Sequence, residues 1–156
     1  MKILLTTDGS SFSESALQTV TSTIRPEGAD VLVLEVVEPL VYTAPPQMAP
    51  GYAPEQTARL KEEFELAKKT TTECANILRK NGFKAETRVI ESDVRSGIIE
   101  TATEWKPDLI VLGSHGRRGV EKFLLGSVAE SVARHAKCSV LIVRGIPRPA
   151  AAVKAA

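Results

Sequence analysis

Four short apolar runs, at residues 3–5, 31–37, 109–112 and 140–143, constrain the fold of this chain more than any other feature. Each is close to unbroken Val, Ile and Leu and is flanked by turn residues. Strands covered on both faces read this way, whereas half-exposed strands alternate. A weaker run, Thr87-Arg88-Val89-Ile90, fits a strand nearer the sheet edge.

Helical patterns separate these runs. Ser11-x-x-Glu14 reads as a capping box opening a helix whose apolar stripe is Leu17, Val20 and Ile24. The strongest helix spans about 54–81, with Leu60, Phe64, Ala67, Cys74 and Leu78 on one face and Gly82 at its C-terminal cap. A third starts after Asp93 and stops at Pro107, burying Ile98, Ala102 and Trp105. A fourth runs over about 127–137 with Val128, Val132 and Ala136 inward. Strand and helix thus alternate throughout, which predicts an α/β fold with an open parallel five-stranded sheet, helices on both faces and right-handed crossovers.

At 156 residues the chain suits one domain with a sizeable core. Its 20 Lys plus Arg against 19 Asp plus Glu leave no basic footprint for nucleic acid or a membrane surface. No apolar stretch reaches the length of a membrane span. The opening residues are too short a hydrophobic run for a signal peptide, and the two cysteines, Cys74 and Cys138, have no framework spacing; a cytoplasmic location is expected. Residues 41–54, with Pro45, Pro46, Pro50 and Pro54, read as a mobile loop, and 147–156 as a disordered tail beyond a domain of residues 1–146.

Chemistry concentrates after the run at 109–112. The chain passes Gly113, Gly116 and Gly119, carries Arg117 and Arg118, and reaches Gly126-Ser127 where a helix starts. Glycines after a strand let backbone approach a ligand, and a helix N-terminus offers unpaired N–H groups to an anion. This is not a Walker A loop, which needs Gly-Lys-Ser/Thr. Nor is it a dinucleotide fingerprint, which needs GxGxxG after the first strand. Structural readings stand beside the functional one: Ser127-x-x-Glu130 is itself a capping box, Asp8-Gly9-Ser10 could be an ordinary turn, and Gly116 could serve a tight turn alone. His115 and His135 lack partners at metal or triad spacing.

Gly113-x2-Gly116-x9-Gly126-Ser127 resembles the G-x2-G-x9-G-S/T signature of the nucleotide-binding branch of the universal stress protein family. The resemblance extends over nearly the whole chain, from Asp8 after the first strand through Leu34-Glu35-Val36-Val37 to the final Ser-Val-Leu-Ile-Val. It implies a Rossmann-like sheet of the adenine nucleotide α-hydrolase kind, with strand order 3-2-1-4-5. It implies an ATP site in which Gly113, Gly116, Gly126 and Ser127 wrap triphosphate and ribose, Asp8 meets the nucleoside and Val36 the adenine. Thr6, Leu112 and Val128 would line the pocket, Arg117 would add charge, and Asp8 with Ser127 could hold Mg²⁺ on the ATP. It also implies a homodimer through the last strand (Ser139, Val140, Leu141, Ile142, Val143). The function expected is a nucleotide-dependent stress-response switch with at most slow hydrolysis. Two alternatives remain open: a same-fold interaction module without nucleotide, and an adenylating enzyme. Valine at Gly113 or Gly126 is expected to abolish nucleotide binding and leave the fold largely intact.

Overall fold

The computed structural model describes residues 1–39, 53–117 and 125–145, with the side chains of the second helix described from residue 57. The expected mobile loop before residue 53, Arg118, Gly119 and the expected tail lie outside the described residues. The elements alternate as β1 (Lys2–Thr6), α1 (Ser11–Thr23), β2 (Asp30–Val37), α2 (Ala53–Lys80), β3 (Lys84–Glu91), α3 (Val94–Trp105), β4 (Leu109–Gly113), α4 (Ser127–His135) and β5 (Ser139–Val143). The five strands form one parallel sheet in the order β3-β2-β1-β4-β5, as expected.

Burial explains the apolar runs. Ile3, Leu4 and Leu5 of β1 are all 0–1 % exposed, because β1 is the central strand and helices cover both its faces. Burying each such side chain contributes roughly 1.5–3 kcal/mol. Alternate residues feed two separate cores. Ile3, Leu5, Val31 and Val33 join Leu17 and Val20 of α1 and Leu78 of α2. Leu4, Leu32 and Leu34 join Ile98 of α3 and Val132 of α4. The weak fifth run is indeed an edge: β3 pairs only with β2, and most of its residues are half-buried or exposed.

Two helix starts differ from the expectation. The N-cap of α1 is Ser10, not Ser11: its hydroxyl accepts from the Ser13 amide at 3.3 Å. The cause is the preceding turn, in which Gly9 takes φ +72° and delivers Ser10 in extended backbone. Ile24, assigned to the helix stripe, is the C-cap residue, although it still packs on the core. The N-cap of α4 is Gly126 and makes no side-chain capping bond, so the Ser127 box does not form. By contrast α3 begins where expected, with Asp93 capping the Ser96 amide at 3.0 Å. It ends as Lys106 turns into left-handed backbone ahead of Pro107.

Candidate functional site

In an open parallel sheet the ligand crevice lies beyond the carboxyl ends of strands, where the strand order reverses. Here the reversal falls between β1 and β4, so Asp8 and the 113–117 loop flank it. The Asp8 carboxylate joins the two sides. Its Oδ1 accepts the Ser10 amide at 3.0 Å, which makes the Asp8-Gly9-Ser10 turn, and its Oδ2 accepts the Arg117 amide from across the crevice at 2.9 Å. Gly116 lies against the same carboxylate; a Cβ there would stand 3.0 Å from Oδ2. Both oxygens therefore already serve protein amides.

The α4 end is docked just as firmly. The Ser114 amide continues the sheet by donating to the Val143 carbonyl at 2.8 Å, and the Ser114 carbonyl accepts the Gly126 amide at 2.9 Å. That pair sets the N-terminus of α4 against the end of β4. Ser127 is the first helical residue and is exposed. An α-helix leaves its first N–H groups without intrahelical acceptors, so this terminus is built to receive negative charge.

Gly113 and Gly126 also serve the packing of the scaffold. A Cβ on Gly113 would meet the Phe12 Cβ at 2.7 Å and its backbone carbon at 2.8 Å; one on Gly126 would meet the Ser114 carbonyl oxygen at 2.8 Å. Both are glycine because backbone packs on them, so valine at either disrupts the scaffold. The expectation of an intact fold is corrected accordingly. Gly116 is exposed and, among the described residues, a Cβ on it would meet the Asp8 oxygen alone, which makes it the loop glycine open to substitution.

Thr6, Val36, Leu112 and Val128 gather on the α3/α4 side of the sheet. Leu112 is buried in that core, and Val36 and Val128 pack on its rim. Thr6, half-buried at the end of β1, has the strand parity of Leu4. Arg117 goes elsewhere. Its guanidinium folds back over Asp8, donates through Nε to the Asp8 carbonyl, and reaches Glu35 Oε1 on the α1/α2 side at 3.0 Å.

Sequence reasoning missed that second side. Glu35 is 5 % exposed, and its Oε2 is buried with no hydrogen-bond partner. Burial pushes its carboxyl up to about 7; Arg117 pulls the other way, and Asp8 adds a small upward push. Nearby, the buried Thr7 hydroxyl meets Ser13 Oγ at 3.3 Å, and the Cys74 thiol meets it at 3.9 Å. Burial also raises the Cys74 thiol, against the Thr7 hydrogen bond. The signal was present: Glu35 interrupts the apolar run that follows the exposed Asp30 in β2, and a charge inside a strand covered on both faces needs a partner. His115 stacks tilted on Phe12 at 5.2 Å, and His135 lies 2.8 Å from the Ser131 carbonyl within its own helix. Among the described residues, no group of three or more His, Cys, Asp or Glu could hold a metal ion, and no helix is long and apolar enough to cross a membrane.

Known proteins agree with this architecture. The model of the universal stress protein family matches residues 1–144. A universal stress protein of Methanocaldococcus jannaschii is 36 % identical over 143 residues, which cover 92 % of this chain and 81 % of that one. The structure of universal stress protein UspA from Lactobacillus plantarum superposes with a TM-score of 0.80 at 23 % identity, covering 92 % of this chain and 97 % of that one. A universal stress protein in complex with cAMP superposes with a TM-score of 0.68, also at 23 % identity, covering 94 % and 98 % of the two chains.

Proposed function

The chain belongs to the universal stress protein family, and from that premise we propose that it binds an adenine nucleotide at the β1/β4 crevice and acts as a regulatory switch. The observation that carries this reading is the α4 terminus: Gly126 fixed to Ser114, Ser127 exposed, and, among the described residues, no side chain capping the first helical amides. A phosphate is the natural occupant of such a terminus. The apolar side chains of Val36, Leu112 and Val128 lie on one side of the sheet, where a base would rest. Solved proteins of the same fold carry cAMP, AMP and dAMP.

Within this reading the ligand is ATP. Gly116, Gly126 and Ser127 cradle its phosphates, and Asp8 lies at the nucleoside. Any Mg²⁺ rides on the triphosphate, since Asp8 is already engaged by two amides. What this chain does is hold and orient the nucleotide. The β5 edge, with Val140, Leu141, Ile142 and Val143 all half-covered, is the surface through which two copies pair. A cytoplasmic setting suits its two free thiols.

The test is to denature the purified protein, identify any released nucleotide by chromatography, and titrate ATP with Mg²⁺ into the stripped protein. Released adenine nucleotide or saturable binding supports the reading. Neither would leave the glycine signature a packing feature and return the protein to the interaction-module alternative.

A further inference from the structure

Two features of the Glu35–Arg117 pair are unequal. The Glu35 side chain is 6 % exposed and fixed within β2, whereas the Arg117 side chain is 53 % exposed and hangs from the loop that flanks the crevice. One partner can leave and the other cannot. Arg117 lies across Asp8, at the mouth a nucleotide would enter, and it sits one residue from Gly116. A phosphate in that loop competes directly for the guanidinium, which matches phosphate oxygens as well as carboxylate ones. A ligand body in the crevice would displace the same side chain by volume alone.

We propose that Arg117 and Glu35 form a ligand-operated proton latch: nucleotide draws Arg117 off Glu35, and the stranded carboxylate takes up a proton from solvent. This rests on the nucleotide-binding reading above and specifies how that site is regulated. A buried carboxylate that loses its cation neutralises itself by protonation, since leaving the charge unpaired costs far more. Among the described residues, no second cation pairs with Glu35. Asp8 faces it from the β1 turn and the Cys74 thiol from α2, and the other charges that act on Cys74 in turn, Glu73 of α2 and Glu14 of α1, are both acidic. On the other flank its β3 neighbour is Val89, while Arg88 lies on the opposite face, paired with Glu104 of α3. Among the described groups Arg117 alone supplies positive charge there, so its departure removes the cation paired with Glu35. The unpartnered Oε2 is the atom that receives the proton. In effect nucleotide affinity becomes coupled to pH in the neutral range.

The test is calorimetric titration of ATP with Mg²⁺ into the wild-type protein and Glu35→Gln. Buffers of different ionisation enthalpy at pH 6, 7 and 8 give the protons taken up per site. Titration of the nucleotide's own phosphates is common to both proteins and cancels in the difference. With Glu35 near 7 in the free protein, the wild type should take up close to one extra proton at pH 8, about half at pH 7 and almost none at pH 6. Its affinity relative to Glu35→Gln should then fall by up to about tenfold per pH unit above pH 7. Arg117→Gln provides a second route: Glu35 is then already protonated without ligand, and the extra uptake should vanish. Equal uptake by wild type and Glu35→Gln, with ATP bound by both, overturns the latch and leaves the nucleotide site standing. Saturable binding by neither protein overturns the nucleotide reading and the latch together.

Discussion

The two faces of the sheet diverge at the carboxyl ends of the strands. On the α3/α4 side, Leu34, Val36, Leu112 and Val128 form an apolar wall. On the α1/α2 side, one residue away along the same strands, Thr7, Ser13, Glu35, Cys74 and Arg117 form a polar cluster with one buried oxygen unmatched. The first wall is what any layered α/β core produces when it is continued to its rim. The second stores charge at a cost. What separates them is strand parity, since successive side chains of a strand point to opposite faces.

The comparison breaks most severely at Gly113, which belongs to neither wall and carries both. Gly113→Val should destabilise the protein by about 3 kcal/mol or more, or prevent folding, because the added carbons meet Phe12 backbone that cannot shift as a side chain does. Urea unfolding checks this. Gly116→Val should cost far less stability yet still lose nucleotide affinity, because among the described residues it intrudes on the Asp8 carboxylate alone. Equal stability losses at the two positions would remove the distinction between scaffold and loop glycines.

The polar side is next. The raised Glu35 carboxyl means that the folded state binds more protons than the unfolded chain between about pH 4.5 and 7. Its contribution is fully present below 4.5 and is lost as pH rises through 7. Glu35→Gln should therefore gain stability on the wild type across that window, by about 3 kcal/mol in all from the size of the shift. Val36→Ala, on the apolar side, should show no such pH dependence. Urea midpoints from pH 4 to 8 for both variants decide it.

A smaller effect separates the two serines at helix starts. Ser10→Ala removes a cap that accepts the Ser13 amide and should cost about 1 kcal/mol. Ser127→Ala removes no cap and should stay within about 0.5 kcal/mol in thermal unfolding while weakening ATP binding. A loss at Ser127 as large as that at Ser10 would restore the capping explanation. The smallest effect is chemical. Burial raises both the Cys74 and Cys138 thiols, so labelling by a disulfide reagent at pH 7 should be slow and should quicken only in alkali.

Most of the fold was legible because it is written in periods. Near-continuous apolar strands, helix stripes and the Asp93 start of α3 all follow from residue type and spacing, and the structure matches them. The strand order came from resemblance, since periodicity does not order strands. Helix starts were legible only where one candidate cap stood alone. With Ser10 and Ser11 adjacent, the choice fell to the Gly9 turn, whose φ of +72° the sequence does not announce. The glycine loop was visible as a motif, but its division of labour was not, because the close approach of Phe12 to Gly113 joins residues a hundred positions apart. Glu35 was visible as an anomaly in β2. Its partner was not, since Arg117 lies far away in sequence and its side chain crosses the crevice to reach it.

The adjacency of Glu35 and Val36 has a consequence for variation among related chains. A single codon change at position 35 alters the charge behind the crevice, while the surface offered by its neighbour is left untouched, because the backbone of β2 stands between them. The charge behind the crevice and the apolar surface at its rim are thus set by two neighbouring residues that face opposite ways.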